Sequence, residues 1–165
     1  MRQALVIYDT KYGNTKQIAA AIAEGLGEEY AVRMAAVAES GPLSPAEVDL
    51  LVVGGPTHQH GLSAALDALL DELPRRSLSG LRTATFDTRY HLSSLLTGSA
   101  AQQAARRLRR AGCQLIAAPE SFFIERDRPP SGEKRRHEVE ALEPGEVERA
   151  GAWARGLSQR AAQAG

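Results

Sequence analysis

The sequence contains one cysteine, Cys113, and equal numbers of basic and acidic residues, twenty of each. One cysteine excludes an internal disulfide and a cysteine-based zinc site, and its apolar neighbours favour a buried thiol over a redox-active one. The balanced charge gives no electrostatic reason to expect binding to nucleic acid or to an anionic membrane. Apolar runs fall well short of the ~20 residues that span a bilayer, and no signal segment precedes the first predicted strand. We therefore expect a cytoplasmic protein with no membrane span.

Two common nucleotide-binding motifs are also missing. Neither G-x-G-x-x-G nor G-x-x-x-x-G-K-[ST] occurs, which argues against a dinucleotide fingerprint and a Walker A loop. With 165 residues, 43% of them hydrophobic, the chain has the size of one globular domain spanning residues 1–165. Its rare residues gather near the start, because Asn14 is the only asparagine and Lys11 and Lys16 are two of three lysines.

These rare residues follow an apolar strand at Leu5–Ile7 and open a helix whose apolar face is Ile18, Ile22 and Leu26. A strand, a tight turn and a helix N-terminus bring free backbone N–H groups and the positive end of the helix dipole to one point, which suits a phosphate. Neutral donors in the turn favour a monophosphate: Thr10, Tyr12, Asn14 and Thr15. The alternative is an ordinary strand-turn-helix junction with Asn14 as the helix cap.

A second polar loop, residues 55–61, follows a continuous apolar run that predicts a central parallel strand. Pro56 fixes the backbone of this loop, flanking glycines permit close backbone approach, and His58 and His60 provide its aromatic surface. The two histidines could bind a metal, but no third ligand is evident nearby, so we predict no metal site.

A third polar segment, residues 88–91, follows a predicted fourth strand over residues 80–87, and a helix begins after Gly98. A fifth strand over residues 114–124 is interrupted near Pro119. Residues 125–137 contain few apolar side chains and predict a mobile or partner-facing loop, and a closing helix starts near Pro144. Strands and helices therefore alternate, and the unusual loops all follow strand ends, as in a doubly wound sheet.

The residues Thr10-Lys11-Tyr12-Gly13-Asn14-Thr15 resemble the T-x-T-G-x-T phosphate loop of the flavodoxin family, with Tyr12 in place of the second threonine. Gly55-Pro56-Thr57 resembles the loop of that family that lies against one face of the flavin. The stretch Phe86-Asp87-Thr88-Arg89 stands where the family has its other flavin-contacting loop, and Tyr90 is the candidate aromatic for the second face of the ring. The resemblance implies an α/β fold, a flavodoxin-like doubly wound three-layer sandwich with a five-stranded parallel sheet of order 2-1-3-4-5 and helices on both faces.

The same resemblance implies FMN as the cofactor, with its phosphate on the first loop and its ring between the other two. No residue is assigned a catalytic role. The predicted cofactor-binding residues are Thr10, Lys11, Tyr12, Gly13, Asn14, Thr15, Pro56, Thr57, His58, Gly61, Asp87, Thr88, Arg89 and Tyr90.

The function that the resemblance implies is electron transfer between a reductase and an acceptor protein. Two alternatives remain: an FMN-dependent oxidoreductase acting on a quinone or a porphyrinogen, and a flavodoxin-fold binding module without flavin. Short flavodoxins are strongly acidic, whereas this chain is neutral and carries Arg89 near the predicted ring. We therefore expect a less negative reduction potential than theirs, and weaker docking to basic redox partners because of Arg89, Arg126 and Arg128.

Overall fold

The computed structural model describes residues 1–58, 61–91, 98–126 and 140–163. Within these ranges, seven strands alternate with four helices and a short 3-10 turn at Val37–Glu39. The strands are β1 Arg2–Tyr8, β2 Tyr30–Ala36, β3 Leu50–Pro56, β4 Arg82–Arg89, β5 Gln114–Leu115, β6 Glu120–Arg126 and β7 Glu140–Leu142. The helices are α1 Asn14–Leu26, α2 Ala64–Asp71, α3 Ala100–Arg110 and α4 Glu146–Gln163.

The strands form one sheet of order β2-β1-β3-β4-β6-β7, with β5 also paired to β4. All pairings are parallel except that of β6 with β7. Both β5 and β6 lie beside β4, at residues 82–83 and 86–89 respectively, so together they form the interrupted fifth strand. The predicted fold class and strand order are confirmed.

The prediction of five strands was too low, because it missed the antiparallel edge strand β7. Residues 124–126 of β6 pair with residues 140–142 of β7 across a long chain separation, and such pairing leaves little local trace in the sequence. The predicted loop over 125–137 therefore begins inside β6, and the rest of it lies outside the described residues. Strand β4 also extends two residues beyond the prediction, so Thr88 and Arg89 belong to the strand.

The core has two layers, one on each face of the sheet. Helices α1 and α4 cover one face, where they pack against strand side chains such as Val6, Val52 and Phe86. Helices α2 and α3 cover the other, against Ile7, Leu51 and Val53. This alternation of inward side chains on buried strands is the packing expected of a three-layer sandwich. Among the described residues, no helix is long and apolar enough to cross a membrane.

Helix α1 packs closely on α4 through small residues. A Cβ atom on Gly25 would lie 2.5 Å from the Gly151 carbonyl oxygen and 2.9 Å from the Ala154 Cβ. The helix continues past Gly25 to Leu26, and Gly27 is its C-cap. Gly25 is therefore required for helix-helix contact and not for helix termination.

The start of α4 is fixed to the sheet by an ion pair between the buried Glu146 and the half-buried Arg149. Glu146 accepts hydrogen bonds from the backbone N–H of Phe123 at 2.7 Å and from Arg149 Nε and Nη2 at 2.9 and 2.7 Å. Burial raises the pKa of the Glu146 carboxyl, but the hydrogen bonds from Arg149 and Phe123 lower it by more, so the net shift is downward. Arg149 also bonds Glu120 at 3.0 Å and the carbonyl of Ser121, which ties α4 to β6.

We predict that Glu146→Gln lowers the free energy of unfolding by about 1–3 kcal/mol at pH 7, because a charge-assisted hydrogen bond set is lost. A carboxyl with a lowered folded-state pKa stabilises the protein fully above its unfolded pKa, and this contribution disappears as the pH falls through the folded pKa. Urea unfolding from pH 7 to pH 3 should therefore show the difference between wild type and variant shrinking in acid. Glu148→Gln, an exposed residue in the same helical turn, is the control. A difference that stays constant down to pH 3 would contradict the assignment.

Candidate functional site

A cleft of about 160 Å³ opens at the carboxyl ends of β1, β3 and β4. Parallel strands in a doubly wound sheet bring their following loops together at this edge, where the strand order reverses. The cleft is lined by Thr10, Lys11, Tyr12, Asn14, Thr15, Pro56, Thr57, His58, Thr88, Arg89, Tyr90, Ile124 and Glu140. Its walls therefore come from all three predicted loops and from the strand pair β6 and β7.

The first wall is the turn between β1 and α1. Thr10 Oγ1 accepts a hydrogen bond from the Gly13 N–H at 3.0 Å, and Gly13 has a left-handed backbone with φ 92°. Within the described residues, no side chain caps the N-terminus of α1. By contrast, Ser63 caps α2 and Ser99 caps α3. The first N–H groups of α1 are thus available to a ligand in the cleft.

The charges on α1 run against its dipole. Lys16 lies in the first turn and Glu24 in the last, and the helix has no acidic residue in its first turn and no basic residue in its last. Each such placement costs about 0.3–1 kcal/mol in a surface helix. Helix α4 has the opposite and favourable arrangement, with Glu146 and Glu148 first and Arg160 last. A bound anion would offset the unfavourable interaction of Lys16 with the positive end of the helix dipole at the start of α1.

Two further contacts tie this first wall to distant parts of the chain. The hydroxyls of Thr15 and Thr88 are 2.7 Å apart, and both side chains are buried. Asn14 Nδ2 donates to the backbone carbonyl of Glu140 at 3.1 Å. The alternative role of Asn14 as the helix cap is therefore not seen, because Gly13 occupies the cap position and the Asn14 side chain reaches across to β7.

The second wall is the segment after β3. The Thr57 N–H donates to the Thr88 carbonyl at 3.0 Å, and the backbones of His58 and Gly61 exchange hydrogen bonds of 2.9 and 2.7 Å. These bonds form an antiparallel bridge between His58 and Gly61. His60, predicted as an aromatic of this loop, lies outside the described residues.

The glycines of this segment make room for protein side chains. A Cβ on Gly54 would lie 2.3 Å from the ring of Phe86, one on Gly55 would lie 2.3 Å from Leu66 Cδ1, and one on Gly61 would lie 2.4 Å from the Gln103 amide. Internal packing is therefore one reason for glycine at these positions, and the expectation that the flanking glycines permit close backbone approach stays a prediction.

Asp87 lies fully buried beneath the second wall. Its Oδ2 accepts hydrogen bonds from Thr57 Oγ1 at 3.0 Å, Ser99 Oγ at 2.7 Å and the Ala101 N–H at 3.1 Å. Thr57 Oγ1 in turn accepts from the Ala100 N–H at 3.0 Å. The Asp87 Oδ1 atom has no hydrogen-bond partner within the part of the chain that the structure describes. The carboxylate therefore holds together the second wall and the N-terminus of α3.

The third wall is the end of β4 and the two residues that follow it. Arg89 Nη1 donates to the Gly98 carbonyl at 2.9 Å, and the Tyr90 hydroxyl donates to the Glu140 carboxylate. His91 stacks on Phe123, with ring centroids 3.7 Å apart, and its Nε2 lies 2.9 Å from Glu143 Oε2. This segment is thus attached to β6 and β7.

A family model described as a flavodoxin domain matches residues 5–107 of the sequence. The chain belongs to the flavodoxin family. Membership of this family implies a flavin cofactor in general terms. No curated protein sequence matches the chain significantly.

Several solved flavodoxin structures share the fold across nearly the whole chain. Oxidised Flavodoxin 2 from Bacillus cereus is 20% identical with a TM-score of 0.71, over 96% of this chain and 99% of that one. A flavodoxin from the domain Archaea is 16% identical with a TM-score of 0.69, over 97% and 99%. A WrbA-like flavodoxin from Agrobacterium tumefaciens is 20% identical with a TM-score of 0.66, over 99% of both chains. At these identities the likeness concerns the fold alone.

All but three of the predicted cofactor-binding residues of this flavodoxin line the cleft. Gly13 shapes the turn without lining the cleft, Gly61 lines a neighbouring basin, and Asp87 is buried below. Two lining residues, Ile124 and Glu140, were not predicted. Ile124 lies two residues after the buried Phe122, so the alternation of a strand could have predicted that Ile124 points inward. No comparable sequence pattern marks Glu140.

We predict that Asp87→Asn destabilises this flavodoxin by about 1–3 kcal/mol, because an amide keeps one acceptor but places a donor where Oδ1 has no partner among the described residues. Such a loss corresponds to a decrease in Tm of about 2–12 °C for a chain of this size. Calorimetry of the wild type and the variant measures it.

Asp71→Asn is the matched control, because the Asp71 side chain is 64% exposed and pairs with Arg107 at the surface. An exposed ion pair contributes only about 0–1 kcal/mol. Equal decreases in Tm for the two variants would show that Asp87 is not the structural centre described above.

Proposed function

We propose that this chain binds FMN in the cleft and transfers electrons between protein partners in the cytoplasm. The phosphate would bind at the start of α1, among Thr10, Asn14 and Thr15. The ring would bind between the His58 and Tyr90 walls. Bound FMN supplies one- and two-electron chemistry, and the protein supplies binding, orientation and electrostatics.

The observation that best supports this proposal is the uncapped N-terminus of α1 in the first wall of the cleft. Its N–H groups lack a side-chain cap among the described residues, and its charged residues oppose the helix dipole. Both features are unfavourable in the free protein, and a bound dianion offsets both. The α2 and α3 termini, which carry serine caps, lack this character.

The residues present fit a flavin phosphate and ring by their chemistry. The turn offers hydroxyl, amide and backbone donors, with Lys11 and Lys16 exposed beside it. Such neutral donors suit a phosphate dianion that is held without a buried cation. His58 on the second wall and Tyr90 on the third wall both line the cleft, and each has a flat ring of the kind that packs against a planar flavin.

Both signs of charge line the cleft. Arg89 lies on the β4 side, where a cation stabilises an added negative charge, and Glu140 lies on the β7 side, where a carboxylate opposes it. The Glu140 carboxylate accepts a hydrogen bond from the Tyr90 hydroxyl. The expectation of a less negative potential than that of an acidic flavodoxin stays a prediction, with Arg89 as the residue on which it rests.

We predict that purified protein mixed with FMN and passed through a desalting column retains about one flavin per chain, as visible absorption bands. Gly13→Ala should weaken FMN binding about tenfold, because an alanine at φ 92° costs about 1–2 kcal/mol and displaces the N–H groups of the turn. Riboflavin, which lacks the phosphate, should bind wild type and variant alike. Fluorescence titration measures the dissociation constants of FMN and riboflavin for both proteins.

Gly80→Ala is the control for backbone strain. Gly80 has φ 78°, and like Gly13 it has open space where a Cβ would stand. It precedes β4, at the amino ends of the strands and therefore away from the cleft. The substitution should reduce stability without changing affinity for FMN. A wild type that stays colourless would overturn the proposal of FMN binding.

A second candidate function is oxidation or reduction of a small acceptor by the protein itself. A wide basin of about 660 Å³ adjoins the cleft and shares Lys11 and His58 with it; Gln103 and Arg107 lie at its other side. The basin has room for a quinone-sized molecule next to the proposed ring site. Steady NAD(P)H-quinone turnover by the isolated FMN-loaded protein would favour this enzyme, and dependence on an added reductase would favour the electron carrier.

A further inference from the structure

Glu140 is the one carboxylate among the described residues that line the cleft. It lies on the short edge strand β7, opposite Arg126 of β6. Its side chain accepts a hydrogen bond from the Tyr90 hydroxyl, and its backbone carbonyl accepts one from Asn14 Nδ2 at 3.1 Å. One residue of β7 therefore contacts two separate walls of the cleft.

The contact with Tyr90 fixes an aromatic side chain at the point where β4 has ended. A hydrogen bond from the hydroxyl of this half-buried tyrosine to a carboxylate favours the rotamer that makes it. The next residue is held in the same way, because His91 stacks on Phe123 and lies 2.9 Å from Glu143 Oε2. Residues 140–143 thus hold residues 90–91 at two successive positions.

The pairing of β6 with β7 gives this contact a rigid base. Residues 124–126 and 140–142 pair in antiparallel register, and the Glu143 N–H donates to the Phe123 carbonyl at 3.0 Å. Ile124, which lines the cleft, stands opposite Leu142 in this ladder. Glu140 is therefore presented by a hydrogen-bonded strand and not by a free loop.

We propose that Glu140 is a positioning residue, which orders the Tyr90 ring as one wall of the cofactor cleft. The inference rests on the proposed function, because the ring is ordered for a flavin to bind against it. Glu140 acts through the hydroxyl of Tyr90, so its contribution should depend on that hydroxyl. Preordering a binding surface reduces the conformational entropy lost on binding.

The test is a double-mutant cycle of Glu140→Ala and Tyr90→Phe, read by FMN and riboflavin affinity. In the wild-type background, Glu140→Ala should weaken both ligands by the same factor, about tenfold, because a charge-assisted hydrogen bond that orders the ring wall is lost. In the Tyr90→Phe background the same substitution should have no further effect. Glu125→Ala is the matched control, since Glu125 is an exposed carboxylate on the neighbouring strand.

Hydrogen exchange of the flavin-free proteins gives a readout that does not depend on the cofactor. Amides of residues 88–91 should exchange faster in Glu140→Ala and in Tyr90→Phe than in the wild type, and should be unchanged in Glu125→Ala. An effect of Glu140→Ala that is equal in both Tyr90 backgrounds, or a loss confined to FMN, would overturn the positioning role. A wild type that binds neither flavin overturns the proposed function instead, and it does so before any variant is compared.

Discussion

The parallel alignment of β1, β3 and β4 is the constraint on which the site depends. Tyr8 stands opposite Gly54, and Gly54 stands opposite Phe86, so the three strands are aligned side by side near their carboxyl ends. The missing side chain of Gly54 admits the Phe86 ring, since a Cβ there would lie 2.3 Å from ring atoms. A shift of one residue would turn every side chain of a strand to the other face. This fit of a large residue against a small one therefore fixes the register and, with it, the convergence of three loops.

Below that point of convergence, the walls are joined by buried polar contacts between separate elements. Asp87 connects the segment after β3 to the start of α3, and the Thr15 and Thr88 hydroxyls connect α1 to β4. Asp87, Thr15 and Thr88 are buried, and an unsatisfied polar group in such a position costs about 1–3 kcal/mol. The cleft is consequently shaped by strands and helix ends, and its wall residues have little freedom to rearrange independently.

Stability and binding compete at the start of α1. In each of α2 and α3, a serine side chain accepts a hydrogen bond from one N–H of the first turn, whereas no side chain caps α1 within the described structure. A site that is left unsatisfied in the free protein gains more from a ligand than one that is already capped. Beside this helix start, β7 supplies the Glu140 carboxylate and carbonyl, which accept hydrogen bonds from the side chains of Tyr90 and Asn14. These contacts leave the first N–H groups of α1 available to a ligand.

The sequence by itself determined the doubly wound fold, the order of the five sheet positions and most of the cleft residues. Those features follow from local patterns: apolar runs, strand-turn-helix junctions and the motif from Thr10 to Thr15, all of which depend on neighbours a few residues apart. The family resemblance of the first two loops was confirmed, while the individual cofactor contacts remain predictions.

Tertiary structure alone decided which of these residues face the cleft and which support it. Asp87 resembled a ligand-contacting residue in sequence, yet it is buried beneath Thr57, and Gly54 and Gly55 serve packing against Phe86 and Leu66. Glu140 could not be found at all, because it reaches Asn14 from 126 residues away through an antiparallel edge strand. Long-range strand pairing and the direction of a buried side chain depend on the whole packed sheet, and no short window of sequence contains that information.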